Sequence, residues 1–206
     1  MKLRLLLGIV ITTILPTATP AQSPFADRPT GVTPEQRATL LQGMERGAAF
    51  VSNNHSYRLL PAARAIRLTA GETTRQALGR LQIAHSEVLE HRGNMLLYRD
   101  LAAAAAGAVL RARDHATAYP VVLNTDTQEL GFLPGTIRAA LARTGDAPAV
   151  AAAHGATVYR SFPQLGVVYF RVAPGQDVLS LATVLAADAG VTRAEPEVVE
   201  HLRVPR

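Results

Sequence analysis

Residues 154–172 read HGATVYRSFPQLGVVYFRV, and the way this stretch divides decides the fold. Residues 156–161 suit a strand, Phe162-Pro163-Gln164-Leu165 a turn, and 166–172, rich in β-branched and aromatic residues, a second strand. Together they make a hairpin, and the neighbouring elements must be fitted around it. Upstream lie a short strand over 136–141 and an Ala-rich helix over 146–154. Downstream, Pro174-Gly175 turns the chain, and Asp177 can cap a helix whose Val178, Leu181, Ala182 and Leu185 share one face. Gly190 ends that helix, 191–194 form a last short strand, and Pro196 stops it. The order is strand-helix-strand-strand-helix-strand, the split βαβ pattern of ferredoxin-like domains. It predicts an α+β fold: four strands in one antiparallel sheet, with both helices on one face. The stretch 166–171 shows little polarity on either side, so the face without helices also calls for a cover.

The same rhythm occurs earlier in the chain. Ala65-Ile66-Arg67-Leu68 corresponds to Thr136-Ile137-Arg138-Ala139, and HSEVLEHRGNMLLYRD (85–100) to the opening stretch. Ala118-Tyr119-Pro120-Val121-Val122 corresponds to Ala194-Glu195-Pro196-Glu197-Val198. Three matches in one order at nearly constant offset point to an internal repeat. The first copy should have strands near 64–69, 87–91, 95–99 and 117–121, with helices near 73–81 and 101–113. The chain is thus expected to be a tandem of ferredoxin-like copies, the second better formed, preceded by an N-terminal helix.

That helix starts at Thr33-Pro34-Glu35-Gln36, where Thr33 caps, Pro34 suits the first turn and Gln36 reaches back. Leu41, Met44, Ala48 and Val51 recur at helical spacing, so it should run to about Phe50, where SNNHS breaks it. Before it, MKLR, the apolar LLLGIVITTIL and the small residues of PTATPAQS have the order of a secretory signal, with cleavage after Ala21. The expected organisation is a signal at 1–21, leader and helix at 22–54, a degenerate first copy at 55–134, the second copy at 135–199 and a tail at 200–206. An exported protein, periplasmic or secreted and free of the membrane once cleaved, is expected, with a retained N-terminal anchor as the alternative. It contains no Cys, so neither disulfides nor a lipid anchor enter.

With Lys2 and Arg4 removed with the signal, the mature chain has 19 basic and 16 acidic residues, a net +3. The Arg residues are scattered with no run of them, which argues against a nucleic-acid partner.

The landmarks AAHGATV (152–158), LGVV (165–168), VAPGQDV (172–178), LAADAGV (185–191) and AEP (194–196) make an ordered set. In that set the chain resembles the N-terminal prodomains of subtilisin-like serine proteases, the fervidolysin-like ones most closely. The resemblance spans about 135–199 and, more weakly, the preceding copy. It implies an open sheet face that packs on surface helices of the protease, here from strands carrying Val158, Val168 and Phe170. It also implies a C-terminal tail that lies in the active-site cleft like a bound product. That tail would be Glu197, Glu200, His201, Leu202, Arg203, Val204, Pro205 and Arg206. Arg206 or Leu202 would enter the leading specificity pocket, and the two imply different targets. Family precursors carry a catalytic domain after the tail; with this sequence closing at Arg206, the expectation is inhibition or folding assistance in trans.

The residues themselves suggest no enzyme. There is no Cys and no Gly-x-Ser-x-Gly elbow, and none of the six His stands in a His-Glu-x-x-His spacing. His85 and His91 flank a predicted strand, with no evident third metal ligand. His85 and His154 occupy equivalent helix ends, where they would cap carbonyls. No catalytic residue, cofactor or metal is therefore assigned. Glu195, Glu197 and Glu200 are expected to be solvated or to form rim contacts. A structural or adhesive module, its two sheets covering each other, and an inactive remnant of a protease precursor are the alternative readings.

Overall fold

A computed structural model describes residues 32–101, 118–173 and 176–200. The signal segment, most of the helix expected over 101–113, the Pro174-Gly175 turn and His201 to Arg206 lie outside the described residues. The described residues form an α+β fold with two antiparallel sheets.

Helix α1 (Pro34–Gln42) begins as its sequence dictates, with Thr33 and Gln36 forming a reciprocal capping box. It stops at Gly43, well short of Phe50. Leu41 and Met44 are buried as the spacing implied, but Val51 is not part of a helix. Residues Ala49–Ser52 form strand β1, which pairs with β2 (His55–Arg67). Asn53 and Asn54 both have positive φ, 48° and 64°, the two-residue turn that matches the twist of a hairpin. The Asn-Asn pair read as a helix breaker is a hairpin maker.

The rest of the first half comprises α2 (Thr74–Leu81), β3 (Val88–Arg92), β4 (Met95–Arg99), β5 (Ala118–Asn124) and β6 (Leu130–Phe132). The sheet order is β3-β4-β2-β5-β6, with β1 alongside β2. Between Leu60 and Arg64 the register of β2 against β5 shifts, leaving 61–63 without a counterpart. Pro61 starts that insertion and has no N–H to give. Arg64 serves the carbonyls it exposes, donating to those of Pro61 and Ala63 at 2.9 Å each. The bent sheet brings its outer strands together: Arg92 Nη1 on β3 donates to the Leu130 carbonyl on β6 at 3.2 Å. Inside the curve lie Leu60, Leu89, Met95, Leu97, Val121, Leu123 and Leu130, with Leu41 of α1 and Met44 just beyond it packed among them. On the opposite face, Ile66, Leu96 and Tyr98 meet Ala77 and Leu78 of α2.

The second half comprises β7 (Thr136–Leu141), α3 (Ala147–Ala153), β8 (Thr157–Phe162), β9 (Val167–Arg171), α4 (Val178–Ala186) and β10 (Val191–Pro196). Its sheet order is β10-β7-β9-β8, which is the order the split βαβ pattern requires. Asp177 caps α4 through the Ser180 N–H at 2.6 Å. Val150 and Ala151 of α3 and Leu181, Ala182 and Leu185 of α4 cover Ile137, Ala139, Val168 and Phe170. Tyr57, Leu59, Val122 and Leu133 of the first half join this core, so the two halves share it.

Candidate docking face

Cross-strand register assigns each residue of the second sheet to a face. Phe170 pairs with Ile137 and Val158, and Val168 with Ala139; these residues lie on the side of the helices. Phe170 and Val168 are 0% exposed. They cannot take part in docking, which corrects the face expected from sequence. Val158 stands on the same side, but at the edge strand, where 39% of it is exposed.

The other face is built in rows. One runs Glu195, Arg138, Tyr169, Arg160; its neighbour runs Arg193, Ala140, Val167, Phe162. Arg171 lies one row further, between Thr136 and Thr157. None of the four described helices contributes to this face. Val167, Tyr169 and Phe162 are half-buried, and Arg138, Arg160 and Arg171 are exposed. Phe162 meets the Tyr169 ring edge-on at 6.0 Å. A bulge between Val158 and Arg160 sets Tyr159 into the same surface, where its ring lies under two guanidiniums, Arg171 at 4.1 Å and Arg160 at 4.9 Å. The tip of the β1–β2 hairpin touches the margin: Arg138 donates to Asn53 Oδ1 at 3.2 Å and Arg193 to Asn54 Oδ1 at 3.3 Å.

The start of the expected tail is tied down. Glu197 donates its N–H to the Thr136 carbonyl at 2.9 Å, and its carboxylate accepts from Thr136 Oγ1. Val199 exchanges two backbone hydrogen bonds with Phe132, at 3.0 and 3.1 Å, adding to the β6 edge. Glu200 accepts from Asn124 Nδ2 at 2.7 Å. Burial, reinforced by the Glu200 carboxylate, pushes the Tyr57 phenol far above its ordinary range. Gly131 makes this approach possible, because a Cβ there would stand 2.8 Å from Val198 Cγ1. Glu195 is itself buried, 2.5 Å from Arg193, and its Oε2 accepts from the Asn53 N–H at 3.4 Å. The three glutamates are therefore a strap across the two sheets rather than solvated residues of a loose end. Sequence reasoning missed the strap because its partners Phe132, Asn124 and Ser52, whose Oγ donates to the Pro196 carbonyl at 2.8 Å, are all more than 60 residues away.

The helix-end histidines also part company. His154 Nε2 lies 2.7 Å from Asp188 Oδ2, whereas His85 is exposed on a short 3-10 turn. Among the described residues no cluster of three or more His, Asp or Glu suited to a metal ion occurs.

The profile of the open reading frame 2 N-terminal domain family matches residues 45–205, both sheets and the strap included. The chain belongs to that family. Among solved structures it is similar to a chain of the Aeromonas sobria serine protease in complex with the chaperone ORF2. There the identity is 21% and the TM-score 0.36, over 43% of this chain and 92% of the other. No curated protein matches it.

Proposed function

We propose that this family member is an exported helper of a subtilisin-like serine protease, acting in trans as folding chaperone and inhibitor. The observation that carries the reading is the helix-free face of the second sheet: half-buried Val167, Tyr169 and Phe162 framed by exposed Arg138, Arg160 and Arg171. An apolar strip held on a rigid sheet and rimmed by charge has the anatomy of a protein interface. Two further points support it. The sequence landmarks that resemble those of protease prodomains fall at structural joints of the second half: the β8–β9 turn, the Asp177 cap and the close of β10. The name of the family is also that of a chaperone solved with its serine protease.

In this reading the two halves are tandem copies of one ferredoxin-like plan. Written as β5-β2-β4-β3, the core of the first sheet has the same order as β10-β7-β9-β8. The first copy has become a foundation and the second presents the surface. The residues after Glu200 would then enter the protease cleft, since those before it are held by β6 and Thr136. The test is refolding of a subtilisin-type catalytic domain with and without the chain, followed by assay of both recovered and native activity. The expected result is greater recovery and inhibition of the native enzyme, both lost in Tyr169→Asp. No effect on either quantity overturns the reading.

A further inference from the structure

We infer that the bare face of the second sheet is built for an acidic amphipathic helix on the surface of its partner. The inference rests on the docking reading above and names the chemistry of the partner. Charge is the first argument. Arg138, Arg160 and Arg171 are exposed on one face, and among the described residues no carboxylate lies within ion-pair distance of any of them. The carboxylate in their rows, Glu195, is taken by Arg193 and Asn53.

Preorganisation is the second. Arg160 and Arg171 lie over the Tyr159 ring, Arg160 Nη2 donates to the Tyr159 hydroxyl at 3.3 Å, and Arg138 is steadied by Asn53. Guanidiniums already held in place lose less freedom when they meet a carboxylate. Between them runs the apolar strip of Val167, Tyr169 and Phe162, which suits the other side of an amphipathic helix.

The first half supplies an internal precedent. There α1 buries Leu41 against its sheet, and Arg37 on the helix reaches Glu90 on β3 at 3.5 Å. Helix on sheet with a charge pair at the margin is thus a solution this chain already uses. In the second half the sheet carries the arginines, so the helix must carry the carboxylates. A second copy of the chain is disfavoured, since it would set three guanidiniums against three. Single-stranded nucleic acid is disfavoured too. It needs aromatic faces free for stacking, whereas Tyr159 is covered by its own arginines and Phe162 engages Tyr169.

The test uses the full chain and three probes: a 20-residue helical peptide with Leu on one face and Glu flanking it, its Lys-flanked twin, and oligouridylate. Calorimetric titration should show binding of the Glu peptide alone, weakening as salt rises. The double variant R160E/R171E, with unchanged circular dichroism, should bind about tenfold more weakly or worse. Failure of the Glu peptide to bind, equal binding of its Lys twin, tighter binding of the oligonucleotide, or indifference to charge reversal overturns the inference. A serine protease effect that Tyr169→Asp abolishes and R160E/R171E leaves intact would sink the inference alone and leave the docking function standing.

Discussion

Strands β4 and β9 stand at similar places in their sheets, β4 between β3 and β2, β9 between β8 and β7. On β4, Met95, Leu96, Leu97 and Tyr98 are all at most 3% exposed. On β9, burial alternates: Val168 and Phe170 are hidden, Val167 and Tyr169 half-hidden, and Arg171 is open. Strand order does not explain the difference. The unmatched residues 61–63 in β2 bend the first sheet until Arg92 can clasp β6, and α1 fills the inside of the curve. Strand β7 has only six residues and runs against β9 without a break in register, so its sheet stays open. A short insertion and one extra helix thus decide which half has surface to spare.

Alanine substitutions test this contrast with the largest effects. Leu96→Ala and Leu97→Ala, on opposite faces of β4, should each cost ~2–5 kcal/mol in denaturant unfolding. On β9, Val168→Ala should cost ~2 kcal/mol, while Val167→Ala should cost ~0.5 kcal/mol and act instead on docking. Equal losses at Val167 and Val168 would mean that the second sheet is covered on both sides. A smaller effect is expected where the strap joins the halves. Gly131→Ala drives a methyl group against Val198, so it should cost ~1–3 kcal/mol and speed amide exchange at Val199 and Phe132. Gly79→Ala, in α2 with nothing within 4 Å, should instead gain ~0.5–1 kcal/mol. Unchanged exchange at Val199 in the Gly131 variant would show that the strap is dispensable.

Local signals carried most of the second half. The Ala-rich helix, the turn before Gly166 with its φ of 66°, the Asp177 cap and the stop at Pro196 are each written within a few residues, and the elements form within two residues of their expected bounds except α4, which ends at Ala186 with Ala187 as its cap rather than at Gly190. The three pairs of similar stretches fall mainly on β2 and β7, on the β3–β4 and β8–β9 hairpins, and on β5 and β10. What sequence could not give was which side of β9 the helices take. Little polarity separated Val168 and Phe170 from Val167 and Tyr169, and register against Ile137 and Arg138 settles it. The apolar spacing after Leu41 misled for a related reason. Ala48 and Val51 fit a helix locally, but Gly43 ends the helix and the Asn53-Asn54 turn claims Ala49–Ser52 for a hairpin. Nor was β6 foreseen, because a three-residue strand leaves almost no periodic trace.

The finest difference between the halves lies at His154 and His85, expected at equivalent helix ends but found as the cap of α3 and on a separate 3-10 turn, and acid titration reads it. Asp188 is held below the usual carboxylate range, first by its hydrogen bond to His154 and then by the Gly190 N–H. A carboxylate depressed in the folded state adds stability above its unfolded pKa and loses it as pH falls through the folded value. Asp188→Asn should therefore lower the melting temperature at about pH 6, and the gap to wild type should close as pH falls through the depressed folded value and the carboxylate takes up its proton. His85 lies on the 3-10 turn beyond the end of α2, without a carboxylate partner among the described residues, so His85→Ala should leave the acid limb of the melting curve unchanged. A gap between wild type and Asp188→Asn that persists undiminished at low pH would show that the aspartate acts by shape, through the turn to Gly190, and not by charge.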